Sequence, residues 1–324
     1  MRYRTLGSTG ILVSEVGFGA WGIGGRTAGN TSYGDTDDTQ SLAALRKAFE
    51  CGMTFFDTSG AYGDGHSEEL IGRAFAGRRQ DVVIATKAGY DNWTRPPDFS
   101  PQAIERSAEA SLRRLGTDYL DVLQLHNPPS EVLAAGDVRE AVERLVAAGK
   151  VRTWGISAKS PQMALEALQQ AQTPLIQANF NMMDVRALTS GLLDEVAGRG
   201  TAFIARTPLC FGFLSGTIDR RTVFLAGDHR GAWPCTQLDN WIDGASDLLA
   251  AVKASPGREG VLVALRFCLS FPAVSTTIPG ILRQAEAETN ALAGSLGPLP
   301  PGAVEAVLAI NRNREFFAAP VRAS

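Results

Sequence analysis

Short runs of β-branched and aromatic residues alternate along the chain with longer segments whose apolar positions recur every three to four residues. The runs Val16–Ala20, Thr54–Thr58, Val82–Lys87, Leu120–His126, Val151–Ser157, Leu175–Phe180, Ala202–Thr207 and Val274–Pro279 predict eight strands. Among the segments between them, Asp38–Glu50 aligns Leu42, Leu45, Ala48 and Phe49 on one side, and Pro101–Leu115 follows a cap-like Ser100. Gly52, Gly116, Gly149 and Gly200 stand just past predicted helix ends, where a left-handed residue closes the last turn. The strand runs are apolar at nearly every position, as parallel strands covered on both faces should be. Eight strand–helix units without a Pro/Ser-rich linker predict a single α/β domain over residues 1–324, a closed (β/α)8 TIM barrel rather than an open doubly wound sheet.

Three stretches interrupt the alternation. Tyr3–Val13, with Gly7 and Gly10, reads as an N-terminal β-hairpin over the barrel floor. Phe213–Ser246, punctuated by Asp219, Gly227, Asp228, Gly231 and Pro234, reads as a long binding loop. Beyond Pro300, Val304–Ile310 reads as an extra C-terminal helix. The segment Gly22-Ile23-Gly24-Gly25 faintly suggests a dinucleotide motif, but the next helical pattern starts near Asp38, so it reads as a flexible loop.

Composition narrows the function classes. With 44% apolar and 20% charged residues the chain buries a sizeable core, and 31 basic against 34 acidic side chains leave no footprint for nucleic acid. The four cysteines lie far apart and read as reduced, mostly buried thiols, and no two of the three histidines share a short spacing, so no metal site is predicted. No window approaches ~18 consecutive apolar residues and the N-terminus lacks a secretory pattern, so a cytoplasmic protein without a membrane partner is expected. No heptad pattern announces an oligomer.

In such a barrel the polar residues at the C-terminal strand ends build the active face. These are Asp57, Lys87, His126, Ser157, Gln177 and Arg206. A carboxylate, an ammonium and an imidazole in one crevice are not what core packing selects, because buried charges need partners. Just past Asp57, the stretch Ser59-Gly60-Ala61-Tyr62-Gly63 places a tyrosine in a glycine-flanked loop, from which its hydroxyl can turn back over the mouth.

With Leu6-Gly7-x-x-Gly10, Gly17-Phe18-Gly19, Thr86-Lys87, Ser111-Leu112-x-x-Leu115-Gly116-x-Asp118-Tyr119-Leu120-Asp121, Leu125-His126, Gly155-Ile156-Ser157 and Ile278-Pro279-Gly280, the chain resembles the aldo-keto reductase superfamily over nearly its whole length. The resemblance implies a carbonyl–alcohol oxidoreductase in which Tyr62 is the general acid/base, Lys87 lowers its pKa, Asp57 holds Lys87 and His126 orients the carbonyl. That fits the physics, since an adjacent ammonium favours a phenolate. It also implies a nicotinamide cofactor: NADPH by family default, with NADH as the alternative. Ser157 and Gln177 would bond the carboxamide. Ala158 replaces the usual asparagine there, and Arg206 stands where many members put an aromatic ring. Arg206, together with Leu209 and Gly212 in the next loop, is placed along the cofactor; Gly212-Phe213-Leu214-Ser215-Gly216 and Asp228-His229-Arg230 resemble a subset of bacterial members. Gly280, Arg283 and Asn290 are placed at the adenosine end, where Glu286 stands in a position many relatives fill with a basic or neutral polar side chain. Trp21, Trp93 and Trp233 fall in the loops after the first, third and seventh strands, where aromatic side chains line small-molecule pockets, and Arg26, Asn127, Trp233 and Arg312 give a mixed polar and aromatic lining suited to a substrate such as a sugar or another hydroxylated carbonyl compound. A cofactor-binding, redox-sensing subunit with little turnover is the alternative.

Overall fold

The first two strands, β1 (Tyr3–Thr5) and β2 (Leu12–Ser14), pair antiparallel in the computed structural model, which describes residues 1–28 and 32–317. Leu6, Ile11 and Val13 of this hairpin enter one apolar cluster with Phe55, Val83, Val122, Leu175, Ala202 and Ile204 from the barrel strands. The hairpin therefore plugs the floor, as expected.

Eight parallel strands follow, hydrogen-bonded in sequence order: β3 (Phe18–Gly19), β4 (Phe55–Asp57), β5 (Val83–Ala88), β6 (Leu120–His126), β7 (Val151–Ser157), β8 (Leu175–Asn179), β9 (Ala202–Arg206) and β10 (Val274–Ile278). The Gly17 N–H donates to Thr277 O and the Gly19 N–H to Pro279 O, both at 2.9 Å, which closes the barrel. A Cβ on Gly19 would lie 2.9 Å from the backbone oxygens of both Ile278 and Pro279, so only glycine lets the first and last strands meet.

Outside lie α1 (Asp38–Glu50), α2 (His66–Ala74), α3 (Pro101–Leu115), α4 (Ser130–Ala134), α5 (Asp137–Ala147), α6 (Pro161–Gln170), α7 (Arg186–Thr189), α8 (Leu192–Arg199), α9 (Cys235–Ala251), α10 (Arg258–Leu269), α11 (Gln284–Leu296) and α12 (Pro301–Asn313). Side-chain caps start three of them: Asp37 accepts from Gln40 N, Ser100 from Ala103 N and Ser160 from Met163 N, each cap worth about 1 kcal/mol. The extra C-terminal helix is α12, longer at both ends than its apolar stretch suggests.

Two expectations are corrected. The long loop expected over Phe213–Ser246 ends at Pro234, because α9 begins at Cys235. Its glycine disguised it: Gly244 faces inward, where the Phe316 ring occupies the space a Cβ would take, and Gln237, Trp241, Ala245 and Leu248 complete the buried stripe. Gly22–Gly24, expected as a flexible loop, is a buried 3-10 turn.

Strand parity decides which side chains reach the mouth. On β5, Val83 and Ala85 point into the barrel, so Lys87 does too; on β6 the same series runs Val122, Gln124, His126, and on β8 Leu175, Gln177. Apolar layers thus fill the lower barrel, and polar ones crown it.

Candidate active site

At the top of β5, the Lys87 Nζ donates to Asp57 Oδ1 at 2.5 Å and to the Thr58 carbonyl at 2.7 Å. It lies 5.0 Å from the centroid of the Tyr62 ring. Asp57 Oδ2 accepts from Gln177 Nε2 at 2.7 Å and from Gln124 Nε2 at 3.0 Å, and the Ser157 hydroxyl donates to Gln177 Oε1 at 3.3 Å. Lys87 and Asp57 are only 1% and 3% exposed, so a pair this buried survives only because each charge is multiply hydrogen-bonded. Burial alone would push the Lys87 ammonium down. The Asp57 carboxylate and Tyr62 outweigh it, and its pKa is raised above the ordinary lysine value.

His126 goes the other way. Burial, reinforced by the charges of Lys87 and Arg206, holds it well below the usual imidazole range, so the ring is neutral near pH 7. Among the described residues its Nδ1 has no partner. Tyr62 sits on the 3-10 turn Tyr62–Gly65 after β4, and Trp93 stacks over it at 6.5 Å and meets His126 edge-on at 5.5 Å.

Two contributions escaped the sequence reading. Gln124 shares the parity of His126 on β6, a signal that would have marked it. Gly24 packs against the backbone of Tyr62 and Gly63, where a Cβ would come within 2.8 Å, and its carbonyl pairs with His66 Nδ1 at 3.2 Å. The buried glycine turn therefore braces the tyrosine loop.

Of the residues assigned to substrate, Trp93 reaches the centre and Asn127 follows His126 with a left-handed backbone, φ 52°, and a buried, unpartnered Oδ1. Trp21 and Trp233 do not pack on Tyr62 or His126. Trp21 meets Tyr33 and His229 edge-on, and Trp233 packs at a tilt on Phe211 and Trp241, in a second aromatic group roofed by the loop before α9.

His229 of that group is lowered to about 4 by burial, Asp228 opposing and Arg230 assisting. Between its ordinary 6.5 and about 4, the unfolded chain binds a proton that the folded chain refuses, so stability falls as pH drops through that window. His126 acts in the same direction. We expect Tm to fall between about pH 7 and about pH 4.5, and His229→Gln to fall less over the same range; an equal fall would contradict the assignment.

Arg206 donates from Nη2 to Ala158 O at 3.1 Å, while its Nε is buried without a partner and, among the described residues, it forms no salt bridge. Beyond it Thr207, Cys210, Phe211 and Gly212 all have positive φ, in a tight turn closed by the Cys210 N–H on the Thr207 carbonyl at 3.0 Å and the Gly212 N–H on the Leu209 carbonyl at 2.9 Å. Leu209 lies half-buried in this turn, Gly280 has open space at its Cβ position, Arg283 is exposed before α11 and Asn290 is buried on it. The orphaned Arg206 Nε, Asn127 Oδ1, His126 Nδ1 and Trp93 Nε1 are the groups a polar ligand at this mouth would satisfy. Of these, the Arg206 guanidinium suits a nicotinamide dinucleotide.

The sequence model of the Aldo/keto reductase family matches residues 15–312. The chain belongs to that family. It is 30% identical to aldo-keto reductase YhdN of Bacillus subtilis (89% of this chain, 87% of that protein) and 31% identical to L-glyceraldehyde 3-phosphate reductase of Escherichia coli K12 (90% and 86%). Aldo-keto reductase AKR11C1 from Bacillus halodurans, solved in a holo form, superposes with a TM-score of 0.79 at 26% identity over 96% of both chains. This aldo/keto reductase is accordingly an NAD(P)-dependent oxidoreductase. Among its described residues no group of three or more His, Cys, Asp or Glu is placed to hold a metal, and no helix is long and apolar enough to cross a membrane. Cys210 and Cys268 are buried thiols as expected, Cys51 is half-buried, and Cys235, at the start of α9, is exposed.

Proposed function

We propose that this enzyme reduces the carbonyl of a hydroxylated aldehyde or ketone, and runs the reverse oxidation, with Tyr62 as the general acid/base. The observation that carries the reading is the Lys87 ammonium, paired with the Asp57 carboxylate and 5.0 Å from the centre of the Tyr62 ring. When bound, the reduced nicotinamide supplies the hydride. As the substrate carbonyl becomes an alkoxide, the Tyr62 hydroxyl gives up its proton and the neighbouring ammonium offsets the phenolate left behind. Asp57 does not compete for that proton, because Lys87 and two glutamine amides already hold its oxygens. Neutral His126 orients the oxygen without serving as the acid.

The Ser157 and Gln177 side chains would hold the nicotinamide carboxamide. Gln177 keeps one N–H beyond its bond to Asp57, and the Ser157 hydroxyl oxygen can still accept. Arg206 would lie along the cofactor, using its free Nε. At the adenosine end, Glu286 takes the Leu282 and Arg283 N–H groups, at 2.7 and 3.2 Å, at the start of α11. Barrels commonly hold a phosphate at the helix start beyond the last strands. A carboxylate there fills the donors and repels a second anion. We expect Glu286→Gln to tighten NADPH by between about threefold and tenfold, about 0.6–1.4 kcal/mol, and to leave NADH within about twofold; an unchanged NADPH affinity would remove Glu286 from the discrimination.

Substrate polarity follows from the orphaned atoms. Trp93 Nε1 is a donor and Asn127 Oδ1 an acceptor, both buried beside the aromatic wall of Trp93 and Tyr90. A hydroxylated carbonyl compound satisfies both, whereas an apolar aldehyde leaves both unpaired. Titration with NADPH and NADH followed by a carbonyl panel tests this: small sugars and hydroxyaldehydes should be turned over best, and turnover confined to apolar aromatic aldehydes would overturn the substrate reading.

A further inference from the structure

The geometry points to half-buried Arg114 and buried Glu68 as a strut that sets the distance between Tyr62 and Lys87, a positioning pair for the reaction proposed above, on which this inference rests. Glu68, near the start of α2, has no exposed surface. One carboxylate oxygen accepts from Thr86 Oγ1 at 2.5 Å, and Thr86 is the residue before Lys87 on β5. The other accepts from Arg114 Nε at 2.5 Å, reaching across from α3.

The Arg114 side chain lies against the two glycines that flank Tyr62. A Cβ on Gly60 would fall 2.8 Å from Arg114 Nη2, and one on Gly65 would fall 2.5 Å from Arg114 Cδ and 2.7 Å from Nε. Gly65 also has φ +100°, outside what other residues adopt readily. The tyrosine loop is thus drawn onto the guanidinium at both ends, while the partner of that guanidinium grips the lysine strand. From the other side Gly24 closes on Gly63, so the loop is held between two supports.

A charge pair inside a protein is a weak stabiliser compared with apolar packing, but it fixes geometry well when every lone pair is used. Here it joins the two elements whose separation the chemistry depends on, since displacement of a reacting group by about 1 Å costs on the order of a hundredfold in rate.

The test is the double variant Glu68→Gln/Arg114→Met, which removes both charges and leaves neither buried alone, alongside Arg114→Lys. We expect the folded double variant, checked by circular dichroism, to bind reduced nucleotide within about twofold of the unaltered protein and to keep its KM within about threefold, while kcat falls at least about tenfold. Arg114→Lys keeps the charge but loses the Nε donor and the guanidinium that lies against Gly60 and Gly65, and should retain only part of kcat. A folded double variant with kcat within twofold would overturn the strut, as would losses in nucleotide affinity, KM and kcat of equal size, which mark general loosening of the fold. Absence of turnover in the unaltered protein would instead overturn the reading on which the strut rests, and the strut with it.

Discussion

Tyr62→Phe is expected to slow oxidation of bound nucleotide by a carbonyl substrate by about 10²- to 10⁴-fold, the range a single positioned acid supplies. Nucleotide affinity should stay within about twofold, because the variant loses one oxygen and keeps the ring. That ring still stacks against Trp93 and still lies beside Lys87, whose ammonium retains the Asp57 carboxylate and the Thr58 carbonyl. His126 cannot take over, since it is neutral and holds its proton too firmly to act as the acid near pH 7. Rapid mixing of nucleotide-loaded protein with substrate separates the chemical step from binding. A variant with a normal single-turnover rate would show that the proton comes from elsewhere.

Asp57→Asn should be the costliest single change to both stability and turnover. It keeps the shape but removes the negative charge that balances the buried Lys87 ammonium, a loss of about 3–5 kcal/mol when one member of a buried pair is removed. Burial is the largest influence on Lys87, and in the unaltered protein the carboxylate overcomes it. The pH dependence should therefore change sign. With Asp57 present, the folded pKa lies above the ordinary 10.5, so the stabilisation is complete below 10.5 and fades as pH rises through the folded value. Without the carboxylate the folded pKa drops below 10.5, the unfolded chain binds the extra proton, and stability rises with pH. Thermal unfolding of both proteins across neutral to alkaline pH measures the two slopes. Parallel slopes would contradict the assignment of Asp57 as the group that keeps Lys87 charged.

The elements were legible where local chemistry and tertiary packing agree. Asp38–Glu50 and Pro101–Leu115 end where the cap residues and trailing glycines place them. The strand runs match their strands to within a few residues because parallel strands covered on both faces are apolar almost throughout. What failed did so through glycine and proline. Pro234 and Gly244 hid α9, although Pro234 stands at its N-cap and Gly244 makes room for the distant Phe316 ring. In the buried turn at Gly22–Gly24, what looked like freedom is close approach to the tyrosine loop.

The convergence of Asp57, Lys87, His126 and Gln177 at the candidate site was readable because they fall at strand ends, whose parity is local. The support around it was not. Nothing in sequence order tells that Gln124 and Gln177 share one carboxylate oxygen, or that Arg114 reaches from α3 to the glycines beside Tyr62. The three tryptophans looked equivalent in the sequence, yet only Trp93 packs on Tyr62, because the loops after β3 and β9 carry Trp21 and Trp233 into the aromatic roof around His229.

The central claim is that an ammonium-backed phenol passes a proton to a carbonyl as hydride arrives. Stopped-flow mixing of the protein, loaded with one equivalent of NADPH or NADH, against a small hydroxyaldehyde tests it most directly. The account predicts loss of the reduced-nicotinamide signal in one exponential whose rate rises and saturates with aldehyde concentration. Nucleotide that binds tightly yet stays reduced against every carbonyl offered would contradict it and leave a protein that holds its cofactor without using it.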